Sequence, residues 1–539
     1  WTLRLGVGLD GEPVGVAHGD LSRHMVVWGS VGSGKTTAVK RLLYELATRT
    51  GAGFLVVDWE GEYGDVAEDL GARVLGGPGS PEPLRLGLFH PGRAPPGVYA
   101  SWVASSLRRL IVDEGYDVTP QMDLGLQRLA RLAVARRAEP GDIPSLLEEG
   151  LRDRLWGRAT AEALAARLHG LYAGPVAAAL EGPPLRVVRG DRLVLDLSWA
   201  SRYSRVDGRI LADLALARVY YSFSGPPRGG GLEFLVVIDE AEEVAPAPRP
   251  GRARLSGVVE DLMHYRKRGV GVVLVAHSPA LLDPGIAKLA ANTMVFRVSD
   301  PEDARAAASR LGVAPELVSS LGRGEALLRP AGHGAPEPIL VEVEPPPRLD
   351  CNARRILESI RLHPHLTQRE RRSLLRMDGH TYTQALASLQ ALGLVRVVEV
   401  NTGRGRPVKL LETPGLRPGA AHRFLEHRIL AAAARLGLKA WRPGDADIAL
   451  QAPEAGRVAV EVETGSNVNA GKYTGLHAGY DALLIVCTDK PCLRTARRAL
   501  NATAWSPTRA QAHLLAGALA AIRRMASPAQ DSPGGGTVG

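Results

Sequence analysis

The sequence predicts an α/β fold: a large, mostly parallel sheet with a helical insertion, followed by two smaller C-terminal regions. Three observations predict it. The stretch "HMVVWGSVGSGKTTAV" (His24–Val39) runs from an apolar strand through a glycine loop into a helix. Five further apolar runs then alternate with helical patterns as far as Val343. A Pro-rich stretch, "VEPPPRLD" (Val343–Asp350), ends that pattern as a linker would.

The opening loop reads Gly29-x-x-x-x-Gly34-Lys35-Thr36, a complete P-loop signature, and it spans Gly29, Ser30, Val31, Gly32, Ser33, Gly34, Lys35, Thr36 and Thr37. Glycines let backbone N–H groups curl around a β-phosphate where a Cβ would clash. Lys35 is expected to reach the β/γ-phosphates, and the Thr36 hydroxyl to hold Mg²⁺. The following helix places its positive end on the anion. ATP and Mg²⁺ are therefore the expected ligands. "GFLVVD" (Gly53–Asp58), "LVLDLS" (Leu193–Ser198), "EFLVVIDE" (Glu233–Glu240), "VGVVLVAHS" (Val270–Ser278) and "TMVFRVSD" (Thr293–Asp300) are near-continuously apolar. Strands buried on both faces of a parallel sheet look like this. An Ala/Leu/Arg-rich helical insertion, about 97–180, falls between the first two of these runs. The third run ends in Asp239-Glu240. At a strand tip beside a P-loop, Asp239 can hold the Mg²⁺ water shell, while Glu240 orients and deprotonates an attacking water. The second carboxylate points to hydrolysis rather than binding alone.

At 539 residues the chain is too long for one core. Lys+Arg 66 against Asp+Glu 57 gives a net charge of +9, which favours an acidic partner such as nucleic acid. Cys351, Cys487 and Cys492 make an odd set without CxxC spacing, which argues against a disulfide framework or a zinc site. No apolar run of about 18 residues and no signal peptide are visible, so the chain reads as cytoplasmic. It begins at Trp1, and membrane association through a preceding segment is a further expectation.

After the linker, "NARRILESIRLHP", "TQRERRSLLRM" and "HTYTQALASLQALGLV" read as three helices, and "VRVVEV" and "PVKLLE" flank "NTGRGR". Three helices with a basic two-stranded wing form a winged-helix pattern, assigned to 349–415. Arg404, Arg406 and Lys409 on the wing are candidate phosphate contacts; protein contact is the alternative. Region 416–525 alternates helix and strand again. Glu426 lies on its first helix, Asp447 at a strand, and Glu461 and Glu463 on one face of the next strand. This order resembles the PD-(D/E)xK nuclease fold, which implies acidic groups binding Mg²⁺ for phosphodiester hydrolysis. Glu463 stands where that family has lysine. Lys472 could supply a migrated lysine; alternatively the fold serves binding or assembly without cleavage. The tail 526–539 is expected to be disordered.

Several ordered motifs over about Gly6–Val343 resemble the HerA/FtsK superfamily of DNA-pumping ATPases, which includes the coupling ATPases of conjugation and archaeal DNA-import ATPases. They are the P-loop with its lead-in, "VVDWEGEY" (Val56–Tyr63), "VLDLSWAS" (Val194–Ser201), "EAEEVAP" (Glu240–Pro246), "MHYRKRGVGVVLVAHSP" (Met263–Pro279) and "NTMVFRVSDPEDA" (Asn292–Ala304). The resemblance implies a RecA-like domain over 1–348 and a homo-hexameric ring with ATP at its interfaces. DNA would thread the pore, and a neighbour's arginine would contact the γ-phosphate. The position matching that arginine is Arg266. The strand-tip polar residue, usually glutamine in the family, is His277 here; a histidine can donate to the γ-phosphate only in the right protonation state. The pathway implied is DNA transfer through a membrane channel, or DNA-end processing with a nuclease partner. A nucleotide-switched DNA-binding regulator and an ATP-gated nuclease are the alternatives.

Overall fold

The computed structural model describes residues 2–223, 231–248, 258–331, 337–413, 418–443, 445–453, 455–465 and 468–526. The tail 527–539 lies outside them. Two compact units divide at the linker, Trp1–Arg348 and Leu349–Gly539.

The first unit is built on an eleven-stranded sheet. Its strands are β1 (Thr2–Val7), β2 (Pro13–Ala17), β3 (Met25–Trp28), β4 (Gly53–Asp58), β5 (Arg73–Leu75), β6 (Arg192–Asp196), β7 (Phe234–Ile238), β8 (Val270–Ala276), β9 (Asn292–Phe296), β10 (Glu325–Arg329) and β11 (Ile339–Val343), in the order β2-β1-β11-β10-β9-β3-β8-β7-β4-β6-β5. From β9 to β5 every pairing is parallel. From β2 to β9 every pairing is antiparallel. Strands β3, β4, β7, β8 and β9 are buried at every residue. Their largely apolar sequences follow, because a parallel strand covered on both faces has no solvent side. The crossover helices Lys35–Arg49 and Arg205–Ser222 pack their buried positions against this sheet. Between β5 and β6 stands the helical insertion, with long helices at Pro96–Asp113 and Pro120–Arg136 and shorter ones to Leu180. Its apolar faces join the sheet in one continuous core, from Leu107 and Leu129 to Leu195 and Val236. The parallel order puts the C-terminal ends of β3, β4, β7 and β8 side by side, the usual place for a ligand in an open α/β sheet.

In the second unit, helices Cys351–Leu362, Gln368–Leu375 and Gly379–Ala391 precede a hairpin of β12 (Arg396–Val400) and β13 (Val408–Glu412). A five-stranded sheet follows: β14 (Lys439–Trp441), β15 (Ile448–Ala452), β16 (Gly456–Glu463), β17 (Ala482–Cys487) and β18 (Ala510–Leu514), in sequence order across the sheet. The first three are antiparallel and the last three parallel. The sequence reading separates 349–415 from 416–525, yet the two parts share one core. Val400 and Leu410 of the hairpin bury with Phe424, Ile429 and Val460. Asn401 N–H donates to Thr488 O at 2.8 Å, and Ala516 N–H to Thr402 O at 2.8 Å. The start of the hairpin turn is thereby bonded to the segments that follow β17 and β18. Among the described residues, no helix is long and apolar enough to cross a membrane.

Candidate nucleotide site

The P-loop is held open by its neighbours. Ser30 N–H donates to Arg297 O at 2.9 Å, just past β9, and Gly324 N–H donates to Ser33 O at 2.9 Å. Gly34 sits at φ 120°, and a Cβ there would stand 3.1 Å from the Phe296 ring. Glycine is required at that point by both conformation and space. Lys35 is buried, and its Nζ donates to Gly29 O at 2.7 Å and Ser30 O at 3.2 Å, with His277 Nδ1 at 3.2 Å. Burial lowers its pKa, opposed by Asp239, Glu242, Glu240 and Glu62. The ammonium therefore rests on backbone carbonyls at the mouth of the loop, and four carboxylates share its field.

The acidic pair stands opposite. Asp239 follows β7, its N–H bonded to Val57 O at 3.1 Å. Glu240 adopts φ 44°, a left-handed conformation uncommon for a non-glycine residue. Its Oε1 is 3.3 Å from His277 Nε2, and its Oε2 is 3.4 Å from Arg205 Nη1. The His277 hydrogen bond holds the Glu240 carboxyl below its ordinary pKa, and the same bond raises that of His277. His277 thus bridges Lys35 and Glu240, one ring nitrogen to each. The backbone N–H of His277 donates to Glu242 Oε1 at 3.2 Å, which fixes the tip of β8 to the turn after β7.

Sequence reading missed three parts of this site. Asp58 ends β4 and accepts N–H bonds from Gly61 at 2.9 Å, Glu62 at 3.1 Å and Tyr63 at 2.9 Å. The "DWEGEY" motif is accordingly a turn wrapped on one buried carboxylate, and it seats the fully buried Tyr63 beside Asp239. Arg205, at the start of its helix, reaches Glu60 at 3.6 Å as well as Glu240, and pairs with Glu243. The signal for Asp58 was the strand-terminal acid followed by Gly61; for Arg205 the sequence carried none.

Burial, followed by the charge of Asp58, pushes Asp239 up to about 6 against the pull of the Tyr63 hydroxyl and the Glu240 N–H. A divalent cation fits such a place, where buried carboxylates lack compensating charge. The folded Asp239 binds its proton more tightly than an unfolded aspartate at 3.8, so ligand-free stability declines as pH rises from about 4 to about 6. Asp239→Asn removes that cost, at most about 3 kcal/mol. Thermal melts of the nucleotide-free protein are expected to show the variant a few degrees more stable at pH 7, with the gain shrinking toward pH 4. A variant that melts lower than the parent at pH 7 contradicts the assignment.

Of the predicted site residues, the structure brings together Lys35, Asp239, Glu240 and His277. It does not bring Arg266 to them. Arg266 is exposed in the turn His264–Arg268 before β8, at the opposite end of the strand from His277. Arg404 and Arg406 are exposed at the hairpin tip, and Lys409 pairs with Glu399 at 3.7 Å. In the second unit Glu426, Asp447, Glu461, Glu463 and Lys472 converge: Lys472 Nζ lies 2.5 Å from Glu461 Oε2 and 3.1 Å from Glu463 Oε1.

A P-loop on β3, an acidic pair on β7 and a polar tip on β8 define a P-loop NTPase. Residues 8–82, which hold the loop and the Asp58 turn, match the family model described as the central domain of the helicase HerA, and this stretch of the chain is HerA-like. Among solved structures, VirB4 of Thermoanaerobacter pseudethanolicus aligns at TM-score 0.49 and 16% identity, covering 64% of this chain and 96% of that one. The plasmid coupling protein TrwB in complex with ADP and Mg²⁺ aligns at 0.49 and 17%, covering 64% and 91%. The genome-packaging NTPase B204 of Sulfolobus turreted icosahedral virus 2 aligns at 0.28 and 12%, covering 60% and 98%. Among curated proteins none matches the chain.

Proposed function

We propose that the chain is an ATP-driven DNA translocase. The observation that carries this reading is the meeting of Lys35, Asp239, Glu240 and His277 at the C-terminal ends of β3, β7 and β8, beside the HerA-like stretch 8–82. Backbone N–H groups of Gly29–Thr37 and the Lys35 ammonium would hold the triphosphate, and Thr36 and Asp239 would hold Mg²⁺. Mg²⁺, when bound, neutralises phosphate charge. Glu240 is placed to accept a proton from water, and His277 to donate to a phosphate oxygen once it leaves Lys35. The reading extends to a hexameric ring that moves DNA through its pore, in transfer across a membrane or in DNA-end processing. The exposed Arg404 and Arg406 would meet the DNA backbone. A second reading, an ATP-gated nuclease, is favoured by the convergence of Glu426, Asp447, Glu461, Glu463 and Lys472.

Steady-state phosphate release with and without duplex and single-stranded DNA tests the first reading. DNA is expected to stimulate turnover; negligible turnover with every DNA rejects it in favour of a nucleotide-switched regulator. Incubating the same DNAs with divalent cation tests the second, which requires cutting that Glu461→Ala abolishes.

A further inference from the structure

The turn that leads into β10 carries an arginine that the site described above does not use. It reads "LGRGE" (Leu321–Glu325), with Arg323 between two glycines. Gly324 N–H donates to Ser33 O at 2.9 Å, and a Cβ on Gly34 would stand 3.3 Å from Gly324 Cα. The turn therefore lies directly against the phosphate-binding loop. It is fixed to β11 as well, because Gly324 O accepts from Val343 N–H at 2.9 Å. Glu325 closes it: its N–H donates to Gly322 O at 3.3 Å, and its Oε2 accepts from Gly322 N–H at 2.7 Å. Gly324 takes φ 85°, a conformation that glycine holds without strain.

So anchored, the turn sets where Arg323 begins. The Gly324 hydrogen bond puts the Arg323 Cα within about 5.5 Å of Ser33 O, and an arginine reaches about 7 Å from its Cα. The mouth of the loop lies within that reach. Arg323 is exposed, and among the described residues its guanidinium has no acid partner. The other cations at the mouth are already engaged. Lys35 shares its field with Asp239, Glu242, Glu240 and Glu62. Arg205 is held by Glu60, Glu240 and Glu243. A triphosphate entering among these acids meets little uncommitted positive charge unless Arg323 supplies it. A guanidinium suits the task, since its planar fork can pair with two phosphate oxygens at once.

We propose that Arg323 binds the phosphate chain of the nucleotide held in the P-loop of its own chain. The contact is made in cis, because the turn that carries Arg323 is hydrogen-bonded to that same loop. It rests on the P-loop holding a nucleotide. It is independent of DNA movement, of a ring and of Arg266.

The test is equilibrium binding of ADP, ATP and inorganic tripolyphosphate, each with Mg²⁺, to the full chain. The parent protein is compared with Arg323→Ala, Arg323→Lys and Lys35→Ala; Arg323→Gln takes the place of the alanine variant should that fail to fold. Arg323→Ala is expected to weaken all three ligands by about tenfold or more, and Arg323→Lys to restore part of the loss. The parent's affinity should also fall with added salt more steeply than that of Arg323→Ala. Without nucleotide the two should melt alike, since the alanine removes no internal contact of the side chain. Unchanged binding of all three ligands in Arg323→Ala overturns the proposal. Weakened ATP and ADP with tripolyphosphate unchanged also overturns it, and moves the arginine to the base or ribose. A parent protein that binds none of the three, or whose binding survives in Lys35→Ala, overturns the nucleotide reading itself, a failure distinct from that of Arg323.

Discussion

Glu240→Gln is expected to lower ATP turnover by about 10²–10⁴-fold while nucleotide binding persists. The geometry separates the two effects. Binding rests on the loop backbone and Lys35, none of which touches the changed atom except through His277. Turnover rests on a carboxylate that can take a proton from water. Glu240 is kept ionised for that task by the His277 hydrogen bond, which holds its pKa down. Its backbone is held at φ 44°, a conformation that costs of order 1 kcal/mol and persists only where the surroundings enforce it. Here the Asp239 carboxylate, accepting from the Glu240 N–H at 3.1 Å, and Arg205, ion-paired to the side chain, enforce it. Glutamine keeps the size of the side chain and can still meet His277, but it takes no proton. Phosphate release measured beside fluorescent-nucleotide binding checks the split. Turnover at half the parent rate or more would remove Glu240 from the chemistry; binding lost together with turnover would make it structural.

The sheet's parallel half was legible because burial on both faces forces continuous apolar runs, as in "LVVI" of β7 and "VGVVLVA" of β8. Its antiparallel edge was not. β2 and β11 are short and half-exposed, so they carry no run and too few residues for alternation to register. Lys35 and Asp239 were legible through spacing along the chain. Arg205 was not, since it comes to Glu240 from 35 residues away across the sheet, and a lone arginine opening a helix resembles any other. Arg323 was missed for the same reason: Ser33 lies on another element, and only folding brings the Arg323 turn against it. The shared core of the hairpin and the second sheet was hidden too, because Val400 and Leu410 read locally as the inner face of a wing.

Arg266→Ala is expected to reduce turnover by about 10³–10⁵-fold through a neighbouring subunit, the worth of an arginine supplied in trans to a phosphoryl-transfer site. Within one chain the residue cannot act on its own P-loop. It precedes β8, and the seven residues of that strand at about 3.3 Å each put some 23 Å between it and the His277 end. An arginine side chain spans far less. The turn His264–Arg268 leaves Arg266 exposed, as a group meant for another molecule would be. Complementation separates this from a merely local role. Arg266→Ala subunits keep Glu240, and Glu240→Gln subunits keep Arg266. In a random equal mixture about one interface in four pairs an intact Glu240 with an intact arginine from its neighbour. Phosphate release should then reappear on mixing two inactive proteins and should follow the product of their fractions. A mixture that co-assembles and stays inactive places Arg266 outside the chemistry, and the ring reading loses the residue that would join one subunit's site to the next.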